Sequence, residues 1–466
     1  MRHAVLTGGN TAQRGAQAML AVLVPMLGVL PSLSHAATGA APPAPRPPPA
    51  AANATYVTQP GDSLYSIAAR YLLEPGDWTV LRRINHVRDP QRLQPGITLE
   101  VPVALLQRDH LEARVVAMSG QAERAFRDGP SMPLAVGATL SEGDRISTGN
   151  NTFVTLEFAD GSHVSVSQDS SVELGVLRKT ALTGTTERVI NLRKGEVDSE
   201  VTHAPTRDDR FQIRSPSVVA GVRGTRFRVN YLPDGKATTV EVLDGTVGVD
   251  ALAATHSALQ LVPARFGSVT HGEVRAGAPV ALIKAPVLVD PGKLQDANDL
   301  AFDLVPLPAA LAYRVQIGRD AGMLDVIHDL RVAQPRATLG DLADGTYFVR
   351  VSGIDAQGLE GLSQVYAFER LHLGLAASGG QQHGSHDYQF RWFVSPSSVE
   401  TRFRFVLAST PDLHNPIFDK PDVAGRQIVI TNLPRGVYYW TVIAERFDNG
   451  RFYESGSAVQ SFTLAY

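Results

Sequence analysis

From Glu112 to Asp250 apolar residues fall on alternate positions in short segments punctuated by Asp-Gly and Gly turns, with no helices between them. Val154, Leu156 and Phe158 point one way, Asp160-Gly161 can turn the chain, and Val164 with Val166 continues the same face. This is a β-hairpin signature, because side chains alternate across a strand and Asp-Gly supplies the positive φ of a tight turn. The pattern recurs in Val172, Leu174 and Val176, in Phe227, Val229 and Tyr231, and in Val240 and Val242 before Asp244-Gly245, with Val247 and Val249 after it. Strands without intervening helices predict an antiparallel sandwich or jelly-roll-like body and argue against an alternating α/β enzyme core.

The rest of the 466 residues leaves room for several domains, and an apolar fraction of 44% permits sizeable cores. There is no cysteine. Disulfides and a lipid-modified N-terminal cysteine are therefore excluded, and stability must come from packing. The formal charge of −3 with no dominant basic patch argues against a nucleic-acid partner. At the start, Arg2 and Arg14 precede an apolar run from Ala18 to Leu30, and Ser34-His35-Ala36 offers a small-x-small cleavage site, so residues 1–36 read as a secretory signal peptide. No later apolar run reaches the length of a membrane span, and no integral membrane segment is expected after cleavage. Residues 37–53, rich in alanine and proline, read as an extended polyproline II linker.

A second pattern occupies residues 54–105. Tyr56 and Val57 suit a short strand, Pro60-Gly61 ends it, and Asp62 or Ser63 can accept the free N–H groups of a following helix. Leu64, Ile67, Ala68 and Tyr71 recur at helical spacing, and Pro75-Gly76 stops that helix. Asp77 is placed to cap a second helix with Trp78, Leu81 and Ile84 as its buried stripe, closed by Asn85 in the left-handed conformation. After the Pro95-Gly96 turn, Ile97, Leu99 and Val101 alternate as a return strand. The stretch resembles LysM, a family that grips N-acetylated glycans such as peptidoglycan. Carried over by position, the resemblance places Gly61, Asp62, Ser63 and Leu64 on one wall of a shallow groove. Asn85 and the segment Leu93, Gln94, Pro95 and Gly96 then form the other. Backbone amides and short side chains suit an acetamido group, which offers one donor, one acceptor and a methyl. The segment Leu72 to Asp77 is longer than in compact members of the family.

Residues 110–252 resemble the FecR domain. The pieces that carry this are GDRISTGNNTFVTLEFADGSHVSV, LRKGEVDSEV, SPSVVAGVRGTRFRVN and TTVEVLDGTVGV, in the family's order. Members of that family serve as periplasmic parts of signalling regulators or as stand-alone envelope modules, and the cytoplasmic sigma-binding segment and transmembrane helix of a regulator are not expected here. Within this region Gly221, Arg223, Gly224, Arg226 and Arg228 suggest an anion site, but the glycine spacing matches no phosphate loop. Arg226 and Arg228 read instead as the solvent face of a strand whose other face carries Phe227 and Val229.

Towards the C-terminus the chain repeats itself. Tyr313 to Ile317 with Leu342 to Val351 recurs as Phe403 to Leu407 with Leu433 to Val442, placing Tyr347 and Tyr438 91 residues apart, the size of one Ig-like sandwich. Two such domains, 280–372 and 386–466, are expected, similar to fibronectin type III. The glycine-rich stretch Ser378 to Ser385 reads as the linker between them, with His383 and His386 in a spacer rather than a metal site. Phe462 to Tyr466 reads as a last sandwich strand.

Catalysis finds no support. The string GDSL also names an esterase family, and Asp325 and His328 form a D-x-x-H, but that chemistry needs its serine at the end of a buried strand of a large parallel sheet. Tyr56 to Gln59 is too polar for such a strand, and Asp325 with His328 is expected in a sandwich loop. Cysteine peptidases and L,D-transpeptidases are excluded by composition, and no H-x-H or Ser-x-x-Lys motif is present. The expected fold class is mostly β and multidomain: a small βααβ module, an antiparallel β domain and two Ig-like β-sandwiches. The expected protein is non-catalytic, without cofactor or metal, periplasmic or otherwise in the envelope of a Gram-negative bacterium. Its expected partners are peptidoglycan or a chitin-like glycan, and envelope proteins not yet identified. The alternative is a FecR-type periplasmic signalling regulator, and a hydrolase accessory ranks below it.

Overall fold

The computed structural model describes residues 52–466 apart from 204, 205, 207, 235, 253–258, 273, 274, 298, 341, 372, 373, 384, 386, 395–400, 449, 450 and 466. The expected signal peptide and nearly all of the Ala/Pro linker lie outside the described residues, as does His386. No described helix is long and apolar enough to cross a membrane.

The first module is βααβ. Strand β1 (Asn53–Val57) pairs antiparallel with β2 (Thr98–Pro102), and helices α1 (Leu64–Tyr71) and α2 (Trp78–Ile84) are joined by a 3₁₀ turn at Pro75–Asp77. The core is Tyr56, Leu64, Ile67, Ala68, Leu72, Leu81, Leu99 and Val101, which is the alternation of β2 meeting the helical stripe of α1. In α2 only Leu81 is fully buried. Trp78 and Ile84 are half-buried because the helix has just seven residues and its ends lie at the rim. The module is tied to the β domain after it: Gln107 donates its side-chain amide to the Leu72 carbonyl at 2.7 Å, and Leu182 packs on the module's core.

The next strands close into a barrel running from Arg108–His110 to Val280–Ala281. Its long strand Thr186–Glu200 belongs to two layers. The first half pairs with Ser171–Thr180, the second with His163–Val166 and Arg226–Leu232. The chain changes layers at Gly195, whose φ of +85° is open to glycine, and any Cβ there would overlap Ser170. Pairing is antiparallel with one exception among the described strands: Thr186–Glu200 runs parallel to Arg210–Arg214. The chain leaves the long strand at its far end in one layer and returns to its near half in the other, which forces the same direction. Beyond residue 252, Gln260–Pro263 and Phe266–His271 add further barrel strands. The interior is filled by the predicted alternating residues, among them Val154, Leu156, Phe158, Phe227, Val229, Val240 and Val242.

Two sandwiches follow. The first sets the sheet of Ala312–Gly318, Val326–Val332, Gly345–Ile354 and Glu360–Arg370 against the pair Leu300–Asp303 and Arg336–Leu339. His328 lies within the strand Val326–Val332, not in a loop, and Asp325 precedes that strand, paired with Arg319 at 3.0 Å. The second sandwich packs Leu375–Gln381, Tyr388–Val394 and Gln427–Ile430 against a sheet centred on Gly436–Asp448. The expected linker at Ser378 is therefore corrected: residues 375–381 are a strand. Glycine is used there for clearance, since a Cβ on Gly379 would stand 2.9 Å from Phe390 and 3.1 Å from Trp440. The internal repeat is real in space. Gly345 lies over the Tyr347 ring and Gly436 over the Tyr438 ring, each opening a central strand, and Tyr438 donates its hydroxyl to the Pro434 carbonyl at 2.8 Å. Gln460–Leu464 is the last strand, with Phe462 stacked on Tyr388 at 3.8 Å.

Candidate functional site

The loop after β1 and the loop before β2 are bonded edge to edge. Thr58 holds the second loop with both backbone and side chain: its hydroxyl donates to the Gln94 carbonyl at 2.7 Å and accepts from the Ile97 amide at 2.9 Å, while the Gly96 amide donates to the Thr58 carbonyl at 2.8 Å. Further along, the Leu64 amide donates to the Pro90 carbonyl at 2.9 Å and the Leu93 amide to the Asp62 carbonyl at 3.2 Å. Eight of the nine expected site residues are thereby brought together. Asn85 is not.

Asp62 does not cap α1. It is buried, and its carboxylate accepts from the Tyr56 hydroxyl and from the Gln59 amide, each at 2.7 Å, which locks the turn under Pro60-Gly61. Burial, followed by the bond to Asp62, pushes the Tyr56 phenol up to about 12. The cap is Ser63, whose hydroxyl accepts from the Ser66 amide at 3.1 Å while the Ser66 hydroxyl accepts from the Ser63 amide at 2.9 Å, a capping box. Asp77 stands at the N-terminus of α2 without a side-chain cap bond.

Leu64 and Leu93 turn their side chains into the core, so only their main chains are available to a ligand. Gly61, Gln94, Pro95 and Gly96 are exposed. Gly61 and Gly96 have φ of +89° and +86°, and nothing lies within 4 Å of where a Cβ would stand on either. The result is a bare main-chain surface flanked by a polar side chain and a proline.

Asn85 has φ −98°, and the left-handed residue that ends α2 is His86 with φ +51°. The Asn85 amide donates to the Leu81 and Glu100 carbonyls at 2.9 and 2.8 Å, and its oxygen accepts from the Glu100 amide at 2.7 Å, clamping α2 to the free edge of β2. Glu100 stands four positions beyond Gly96, roughly 13 Å along an extended chain. One feature went unread in the sequence: Tyr65, 42% exposed and next to Leu64, pairs with Trp78 at 4.4 Å between ring centroids. Its signal was a tyrosine one step off the apolar face of α1.

Comparison with family models matches residues 56–102 to the LysM domain and residues 144–248 to the FecR protein family. The chain carries a LysM domain and a FecR domain. Both are non-catalytic families typical of the envelope or periplasm, and the LysM match points to glycan binding. Among solved structures, a putative anti-sigma factor from Parabacteroides distasonis is 16% identical, with 29% of this chain and 57% of that one covered and a TM-score of 0.24. The chicken CNTN1 FN1-FN3 domains are 12% identical over 52% of this chain and 98% of theirs (TM-score 0.19). The fibronectin(III)-like modules of Clostridium thermocellum CbhA are 15% identical over 38% and 90% (TM-score 0.19). No curated protein matches the chain.

Proposed function

We propose that the protein is a non-catalytic envelope component that holds peptidoglycan, or another N-acetylated glycan, on the LysM surface formed by Gly61 to Leu64 and Leu93 to Gly96. The observation that carries this reading is the pair of solvent-open glycines on two loops fixed by Thr58 and Asp62. Main-chain donors and acceptors there can meet acetamido groups without side chains in the way. The neighbouring Tyr65–Trp78 pair, its rings tilted by 40°, adds partly exposed aromatic surface for a sugar face. A single such site binds weakly, so retention on the wall needs several engaged copies or a second contact.

The test uses Gly61→Asn and Gly96→Asn in the full chain. Asparagine tolerates positive φ, so the loops keep their path while a side chain fills the open surface. Pelleting with insoluble peptidoglycan is expected to fall about tenfold or more for the double variant, about 1.4 kcal/mol of binding. Pelleting equal to that of the unaltered chain would remove the loops from the site. A second reading, a FecR-type signalling regulator, is favoured by the FecR match itself. It expects one dominant envelope protein to crosslink to the barrel in the absence of glycan.

A further inference from the structure

The outer face of the barrel is charged and yet buried. Val197, Phe227, Val229, Val240 and Val242 point inward, so Glu196, Asp198, Arg228 and Glu241 point outward, as strand alternation requires. Arg228 is only 3% exposed, which corrects its assignment to a solvent face: the first sandwich covers it. That sandwich turns the outward residues of its own sheet against the barrel. Arg314 binds Asp329, with Nε to Oδ1 at 2.9 Å, and also reaches Glu360 at 2.6 Å and Glu196 of the barrel. Arg228 pairs with Glu360 and donates to the Gly361 carbonyl at 2.7 Å. Arg331 meets Glu196 at 2.7 Å, and Arg350 meets Asp198 at 3.0 Å. Beside the charges, Phe153 packs with Met323 and Val326, and the Thr155 hydroxyl donates to the Leu324 carbonyl at 2.6 Å.

The cluster holds four guanidinium groups and five carboxylates. Glu196, Asp198, Asp329 and Glu360 each have an arginine partner within ion-pair distance. Among the described residues Glu241 has none, and it accepts a long bond, 3.4 Å, from the Glu360 amide. A fifth negative charge sealed in this interface would be uncompensated, and such a group takes up a proton. A cleft of about 250 Å³, lined by Glu196, Arg314, Asp329 and Arg331, gives water a way to the cluster. We propose that this face is a proton-linked clasp: the barrel and the first sandwich close on each other with Glu241 protonated and loosen when it ionises.

The pH window follows from two opposed groups. Burial pushes Glu241 up to about 7, against the pull of Arg228 and with Glu360 and Glu196 adding repulsion. Its carboxyl ionises near 4.5 when the face is open, so closing takes up a proton. That contribution is complete below 4.5, falls as pH rises from 4.5 through 7, and is level above. Glu360 works in the other direction. Burial raises it, but Arg228 and Arg314 outweigh burial and hold its carboxyl well below the usual range, so its contribution is lost on acidification below 4.5. Closure is tightest near the ordinary carboxylate range.

Because the chain has no cysteine, a single introduced thiol reports without background. Thr155→Cys places it between barrel and sandwich, Thr246→Cys on the exposed barrel surface corrects for thiolate fraction, and Ala444→Cys in the second sandwich detects general unfolding. The corrected labelling rate at Thr155→Cys is expected to be about tenfold or more faster at pH 8 than at pH 5, with Ala444→Cys unchanged. Adding Glu241→Gln, which keeps the shape of the protonated acid, is expected to bring that ratio to within about twofold. Equal rates at the two pH values, a parallel rise at Ala444→Cys, or an undiminished ratio with Glu241→Gln would each overturn the clasp.

Discussion

At the scale of single residues, the small module shows how one side chain can be read for the wrong bond. Asp62 sits two positions before helix α1, close enough for an acid to be read as its cap, but it is Ser63 that caps. Asp62 instead joins Tyr56 to Gln59 beneath the turn. Both residue types cap well, so local pattern could not separate them. The deciding fact is Tyr56, six residues earlier, whose buried hydroxyl needs an acceptor. Asp62→Ala is therefore expected to destabilise the module by about 2 kcal/mol, because a charge-assisted bond is lost and the Tyr56 hydroxyl is left without a partner. Fluorescence in a urea titration reads this once Trp392 and Trp440, both buried in the second sandwich, are replaced by phenylalanine so that Trp78 reports alone. A loss under about 0.5 kcal/mol would show that the lock is not needed. Asn85 was legible as a helix-ending residue but not as a clamp. Its partner, Glu100, lies on a strand whose register only the folded chain defines.

Among elements, alternation was legible almost strand by strand, and the partners of each strand were not. Period two says which side chains share a face, but the long strand Thr186–Glu200 changes layers part-way, and nothing in its apolar pattern marks the change except Gly195. Gly195→Ala should cost about 3 kcal/mol or more, combining a disfavoured positive φ with overlap against Ser170. Adding Ser170→Gly should recover only the steric part. A melting temperature for Gly195→Ala within a degree of the unaltered chain would refute this account. The glycine-rich stretch at Ser378 was misread for a related reason. Glycine marks flexibility in a linker and close approach in a sandwich, and the sequence does not say that Phe390 and Trp440 stand opposite Gly379.

On the scale of the whole molecule, the strands at the barrel–sandwich contact are buried on both faces, and that had no sequence signature. Arg228, Arg314 and Arg350 alternate with apolar residues as any half-exposed strand would, yet each is under 10% exposed because a second domain replaces solvent. The contact is expected to join two domains that are distinct in sequence into one stability unit. Arg314→Leu tests this, since it strands Glu196, Asp329 and Glu360 around an apolar side chain. Breaking a buried pair from one side costs about 3–5 kcal/mol, far more than the pair contributes over an apolar replacement. Calorimetry of the unaltered chain should show barrel and first sandwich melting together. In Arg314→Leu that shared transition should drop by several degrees and split, while the second sandwich, which holds none of the cluster's residues, keeps its own melting point. An unsplit transition at its original temperature would mean that the apolar contact around Phe153, Met323 and Val326 suffices to hold the domains together, with the ion cluster passive.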